Sequence, residues 1–351
     1  MPDIVSVPVK YNTSALRACF NHTFRRIIFH LLQTGETTPA MTSETPIDSR
    51  SSRNLPLTVL CYATVYLVWG GTYLFIRFAV QTIPPFHVVG TRFIAGGTLF
   101  LLLSVITGRL QRLPTLREIT ASVLLGTLLL IGGNGLVTLA EKKVDSHLAA
   151  LIISSTPLGV ALFDLLLFRK KLSAVRWLGI LAGIGGVFVL LADGTSLTIH
   201  VTPEILLVIV ALTSWSFATS LGHRMRVYPD VFVNSAIQML FVGSIVLLAA
   251  QIARPLTIAG LSAVSPLSIA GLLYLIVAGS SAFAAYNYLI RCEPAIRVAS
   301  YAFVNPTIAL FLGIVVAGED PKPFLLPGVV LILLGLFAML YGDTLLRRIR
   351  R

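Results

Sequence analysis

The chain has 351 residues, of which 56% are hydrophobic and 12% charged, with a formal net charge of +12. Soluble domains carry about 25% charged residues, so this composition excludes an ordinary aqueous globule. Continuous uncharged blocks also exclude a membrane barrel, whose strands alternate over segments of about ten residues, and basic residues split among short loops without stacking aromatics exclude a nucleic-acid surface.

Residues 1–55 are polar, rich in Ser and Thr, and hold Pro39 and Pro46. They are predicted to be a disordered cytoplasmic extension. The stretch from Arg17 to Leu32 is basic and mildly amphipathic, with apolar runs too short for a secretory signal. Two readings of it stand: a targeting presequence, or residues 1–40 as an upstream translation artefact with the native start at Met41. Ten apolar blocks follow, at about 56–80, 86–107, 119–140, 145–168, 176–192, 203–223, 230–253, 266–290, 297–317 and 325–346. Each predicts a spanning helix, because about 20 apolar residues cover the hydrocarbon core and backbone polarity in lipid must be satisfied internally.

Pro84-Pro85 marks the turn between the first two spans, Gly108 to Glu118 joins the second and third, and Arg169 to Arg176 joins the fourth and fifth. With a cytoplasmic N-terminus, seventeen basic residues fall on inner segments, including the tail 347–351. Only Lys142, Lys143, Arg254 and Lys322 fall on outer loops. That bias predicts a multi-pass protein of the cell inner (plasma) membrane with both termini cytoplasmic. Cys19, Cys61 and Cys292 offer neither a disulfide framework nor metal-ligand spacing.

Two halves of the chain repeat. Trp69 and Trp215 lie 146 positions apart, and Pro157 and Pro306, Gly179 and Gly328, and Gly186 and Gly335 are each 149 apart. Five crossings per half turn the second half over relative to the first, as in many secondary transporters. The predicted fold is therefore all-α and integral to the membrane, with ten transmembrane helices in two inverted five-helix repeats over 56–192 and 203–346.

Several side chains at membrane depth invite a chemical role. Trp prefers the headgroup level, yet Trp69 and Trp215 fall near the middle of their spans. They either pack between helices or form the aromatic wall of a central cavity. A buried charge near the bilayer centre costs at least about 2.5–3.5 kcal/mol, so it usually has a partner or a task. Arg77, Arg92 and Glu141 all fall toward the outer side and are expected to meet, with Glu141 as counter-ion to one arginine; for Arg77, snorkelling to the outer headgroups is the alternative. Asp164, near the inner end of the fourth span, reads as a local charge pair with Arg169 and Lys170, or as a proton-carrying carboxylate. Asn134, Asn287 and Asn305 are amides able to bond between helices or to a substrate. Thr156-Pro157 and Asn305-Pro306 occupy matching places in the fourth and ninth spans. No catalytic site is expected, since His87, His147, His200 and His223 sit at or near span ends and no carboxylate dyad exists within the membrane.

The ordered set Trp69-Gly-Gly-Thr-Tyr73, Ile76-Arg77, Pro84-Pro85, Arg92-Phe93, Gly133-Asn-Gly, Val137-Thr138, Ala140-Glu141, Asn305-Pro306 and Gly318-Glu319 resembles EamA-type carriers of the drug/metabolite transporter superfamily. The resemblance covers 56–346 and is nearest to inner-membrane amino-acid and drug-metabolite exporters. It implies a central cavity between the repeats, peripheral fifth and tenth helices, and export of small organic solutes coupled to proton entry. The family's motif positions fall on Trp69, Arg77, Arg92, Asn134, Glu141, Asn305 and Glu319. The long N-terminal extension departs from the family pattern.

Trp69, Tyr73, Asn134, Trp215, Asn287 and Asn305 are thus expected to line the substrate cavity. Arg77, Arg92, Glu141, Asp164 and Glu319 are expected to gate or couple. No cofactor or metal is expected. The partners are a small solute and the lipid bilayer, with protons and a second copy of the chain as further candidates. A metabolite importer of the same fold, or an intramembrane enzyme, are the alternatives.

Overall fold

The uncharged blocks form helices, the open-ended structure in which every backbone group finds a partner without water. In this computed structural model the described residues are 55–169, 173–193, 196–199, 201–222, 224–257, 260, 262–299, 301–318, 320 and 324–349. The expectations for residues 1–54, Lys170, His200, His223 and Glu319 fall outside them. The helices are α1 (Leu55–Ala79), α2 (Pro85–Ile106), α3 (Leu116–Ala140), α4 (Ser146–Phe168), α5 (Ala174–Leu191), α6 (Pro203–Gly222), α7 (Val231–Ala253), α8 (Pro266–Cys292), α9 (Tyr301–Val315) and α10 (Leu325–Ile349). Seven of them have the length and apolar composition to cross a membrane. The apolar parts of α5, α9 and α10 are shorter, at Ala174–Gly186, Val304–Val315 and Leu325–Met339.

Local chemistry sets the helix ends. Pro85 opens α2, where its missing N–H costs nothing. Thr115 and Glu118 form a capping box that starts α3 at Leu116, three residues earlier than hydropathy predicted. Asp230 caps α7 by accepting from the backbone N–H groups of Phe232 and Val233. Gly108 and Gly318, both at φ +65°, supply the left-handed turns after α2 and α9.

The helices are joined at one place by a short hairpin. β1 (Ala192–Asp193) and β2 (Ser196–Ile199) pair antiparallel between α5 and α6. The hairpin overlaps the span predicted over 176–192 only at Ala192. The span expected over 297–317 is interrupted: a single turn, Ala295–Val298, precedes α9. The matching prolines do different things. Pro157 opens the second segment of α4 after a break at Ser154 and Ser155, whereas Pro306 lies inside α9. Both α3 and α8 pass into π-helix, over Thr127–Gly135 and Leu275–Gly279.

Packing follows a rule of exchange. α1 packs on α8 and α9, and α6 packs on α3 and α4. α2 packs on α7, and α5 on α10. Adding or subtracting five from every helix number returns the same pairs. The last two pairs run antiparallel and touch through glycines. A Cβ at Gly90 would lie 2.6 Å from the Cβ of Leu247, and one at Gly97 would lie 2.9 Å from Leu240 Cγ. At the other pair, a Cβ at Gly179 would meet the Gly335 carbonyl at 2.6 Å, and one at Gly186 the Gly328 carbonyl at 2.9 Å. Leu178, Leu181, Leu334 and Phe337 leave the outward faces of α5 and α10 apolar and exposed, as a lipid contact requires.

Candidate functional site

Helices α1, α6, α8 and α9 bring four aromatic rings together in the bundle. Trp69 lies 5.4 Å from Trp215 and 5.5 Å from Tyr301, both edge-on, and 5.0 Å from Tyr286. Trp215 lies 5.2 Å from Tyr286. These separations fall within the favourable range for aromatic pairs. Gly133 makes room for the cluster, since a Cβ there would sit 2.6 Å from the Trp215 ring. Tyr286 and Thr219 share a 2.6 Å hydrogen bond between their hydroxyls. Beside the rings is a cavity of about 50 Å³, lined by Trp69, Thr72, Tyr73, Asn134, Trp215 and Tyr301 among others. That volume is well below the roughly 300 Å³ at which small-molecule sites begin.

Arg92 stands behind this chamber. It is 4% exposed, and its Nη2 donates to Asn134 Oδ1 at 2.8 Å. Its guanidinium also sits 4.4 Å from the centre of the Phe93 ring. A second small cavity, of about 30 Å³, joins Arg92 and Asn134 to Trp69 and Thr72. Glu141, the C-cap of α3, is buried and close enough to act on the Arg92 charge. Arg77 pairs with Asp145 at 3.0 Å and donates to the Val144 carbonyl at 3.2 Å. Lys143 bonds Glu204 at 2.6 Å and so ties the same loop to α6. The α3–α4 connection is thereby fastened across one end of the bundle.

The opposite end is open. A cavity of about 420 Å³ there is lined by Leu125 and Leu129 of α3, Ala218 and Gly222 of α6, Asn234 and Gln238 of α7, and Asn287 and Ile290 of α8. Asn287 was expected in the aromatic cavity and is corrected to this vestibule. It follows Tyr286 directly, so on a helix it points about 100° away from the ring cluster. Its Nδ2 donates to Ser235 Oγ at 2.9 Å and to Gln238 Oε1 at 3.1 Å. Asp164 accepts from Ser220 Oγ at 2.6 Å, between α4 and α6. Asn305 is 3% exposed and lines none of these three cavities, and neither of its amide atoms has a hydrogen-bond partner among the described residues.

Trp69, Tyr73, Asn134 and Trp215 therefore share one chamber, with Arg92 adjoining. The sequence reading passed over Tyr286, Tyr301, Thr219 and the α7 amides Asn234 and Gln238. Tyr301 opens α9 and Asn234 lies in the first turn of α7, so depth did not single them out; their place is set by contacts between helices.

A bundle of long apolar helices with polar and aromatic side chains gathered inside it is a multi-pass membrane transport protein in architecture. The family follows from the sequence profile of the EamA-like transporter family, which matches residues 56–192 and again 202–341. The chain belongs to that family. It is 37% identical over 267 residues to a protein of Escherichia coli K12 named an uncharacterized inner membrane transporter, YedA, covering 76% of this chain and 84% of that one. The transporter YdfC of Bacillus subtilis is 24% identical over 75% of this chain and 84% of its own. A chloroplastic WAT1-related protein of Arabidopsis thaliana is 23% identical over 79% of this chain and 68% of its own. One solved crystal structure superposes with a TM-score of 0.61 at 20% identity, over 86% of this chain and all of the other, which is a likeness of fold.

Proposed function

We propose that the protein is a secondary exporter of small organic solutes, working by alternating access and coupled to protons. In this reading ten helices cross the inner membrane in two inverted five-helix repeats, and both termini are cytoplasmic. Equivalent helices that meet antiparallel are related by a two-fold axis in the membrane plane, and the α2–α7 and α5–α10 contacts support that relation. The excess of basic residues on one side supports a cytoplasmic vestibule end. The inner-membrane assignment draws on the name of the Escherichia coli relative.

One observation carries the reading. A vestibule of about 420 Å³ stands open at one end while two ion pairs fasten the other. Positions Ala211, Trp215, Ala218 and Gly222 run along one face of α6, and they pass from the aromatic chamber to the vestibule. Trp215 and the Tyr286–Thr219 pair stand between the two spaces. A solute entering the vestibule would reach the chamber by displacing that aromatic partition, and would leave once the Arg77–Asp145 and Lys143–Glu204 pairs part. Net transport requires the solute to bind the two states differently. Coupling falls in this reading to Glu141, buried at the end of α3, and to Asp164, which accepts from Ser220 between α4 and α6.

The test is solute movement in everted membrane vesicles, with a panel of amino acids and cationic drugs, in the presence and absence of a proton ionophore. ATP-independent accumulation that the ionophore abolishes is the expected result. Uptake confined to right-side-out vesicles would reverse the direction and make the protein an importer.

A further inference from the structure

The vestibule wall holds a buried hydrogen-bond donor without a partner among the described residues. Asn234, Gln238 and Asn287 are all at most 5% exposed; Asn234 bonds Ser122, and Asn287 bonds Ser235 and Gln238. Ser122 Oγ donates to Asn234 Oδ1 at 2.8 Å, and Asn287 Nδ2 donates to Gln238 Oε1 at 3.1 Å. That leaves Gln238 Nε2 buried with no partner among the described residues. Buried amides are nearly always satisfied, because desolvating one without a partner costs free energy. The missing partner must be an acceptor, since the amide nitrogen can only donate.

Charge at the mouth narrows the acceptor to an anion. Arg226 and Arg291 both line the cavity. Arg291 donates its guanidinium N–H groups to the carbonyls of Tyr228 and Pro229, with Asp230 nearby. No acidic side chain pairs with Arg226 among the described residues. Glu118 is the one carboxylate on the described lining, and Arg112 holds both its oxygens, at 2.8 and 2.5 Å. The remaining wall is apolar, with Leu125, Leu129, Ala218 and Ile290. A volume of about 420 Å³ is within the usual range for small-molecule sites.

We propose that this vestibule is a loading site for a small monocarboxylate with an apolar body, whose carboxylate accepts from Gln238 Nε2 and faces Arg226. It rests on the reading of the protein as a carrier that draws solute from the vestibule end, and it adds a site separate from the aromatic chamber.

N-acetyl-L-leucine and its neutral amide, N-acetyl-L-leucinamide, are the probes, measured by equilibrium binding to the purified full chain in phosphatidylcholine nanodiscs. The acid is expected to bind saturably and the amide about tenfold more weakly or worse, the loss anticipated for one hydrogen bond to a charged group. Gln238→Leu and the isosteric Gln238→Glu should each weaken the acid by a similar factor. Arg226→Gln should weaken it and reduce its salt dependence, while Arg109→Gln on the same face leaves it unchanged. Thermal unfolding of each variant separates a lost contact from a lost fold, and Gln238→Glu keeps the side-chain volume. Equal binding of acid and amide, no saturable binding, or an affinity indifferent to both Gln238 variants would overturn the assignment. So would displacement of the acid by short-chain phosphatidylglycerol at much lower concentration, which would make this a lipid-headgroup site. Vesicle flux without vestibular binding would sink this inference alone; vestibular binding with no flux of any solute would uphold it and count against the carrier.

Discussion

Arg92 concentrates the energetic stakes at the scale of single residues. A guanidinium at membrane depth is costly, and it persists here through Asn134, the Phe93 ring and the nearby Glu141. Truncating Arg92 removes the bond it donates to Asn134 Oδ1, a loss of about 1–3 kcal/mol for a hydrogen bond from a charged group. Arg92→Ala is therefore expected to lower the unfolding temperature in detergent substantially and to abolish flux; unchanged stability and transport would contradict this role. Tyr286→Phe is a milder probe. It deletes only the 2.6 Å bond to Thr219 and should cost about 1 kcal/mol, while changing the flux rate if the ring partitions vestibule from chamber. Trp69 and Trp215 were legible in the sequence because tryptophan in mid-span breaks a strong interfacial preference. Tyr286 and Tyr301 were not, because their significance lies in meeting rings from other helices. Asn287 was misplaced because its helical phase cannot be followed through the π-helical turns at Leu275–Gly279.

At the scale of helices, the tightest contact is between α5 and α10, where carbonyls stand where side chains would go. A Cβ on Gly335 would fall 2.5 Å from the Gly179 carbonyl, and backbone cannot swing away as a flexible side chain can. Gly179→Leu or Gly335→Leu is expected to force the pair apart, with a cost of at least about 1–3 kcal/mol for overpacking. Gly185→Ala serves as its control, since the nearest atom to its Cβ is an ordinary 3.6 Å away. Thermal unfolding of the three variants would show the contrast, and equal tolerance of all three would remove the close-contact account. The positions of the apolar helices were readable from hydropathy because lipid demands long uncharged runs. The β1–β2 hairpin, the break in α4 and the two π-helical stretches were not, because they depend on turn chemistry and on neighbouring helices rather than on mean apolarity.

Across the whole molecule, the closed end depends on weak ties. Arg77 and Asp145 are 30% and 31% exposed, so their pair contributes at most about 1 kcal/mol. A tie of that strength suits a contact that must break in each cycle. Asp145→Asn is expected to favour opening of that end with little loss of overall stability, read as faster reaction of a nearby cysteine with a thiol reagent. The π-helical stretches in α3 and α8 lie beside the chamber, and such turns recur where a helix must adjust its register. The proposed alternating access has one direct consequence for a residue at the centre. Thr72→Cys, in a background lacking Cys19, Cys61 and Cys292, puts a thiol on the shared wall of the two small cavities. The decisive measurement is its labelling by a membrane-impermeant thiol reagent in everted and in right-side-out vesicles, beside Gly222→Cys in the vestibule. Thr72→Cys is expected to react from both sides and Gly222→Cys from the cytoplasmic side alone; reaction of Thr72→Cys from one side only, with transport intact, would contradict alternating access through this chamber.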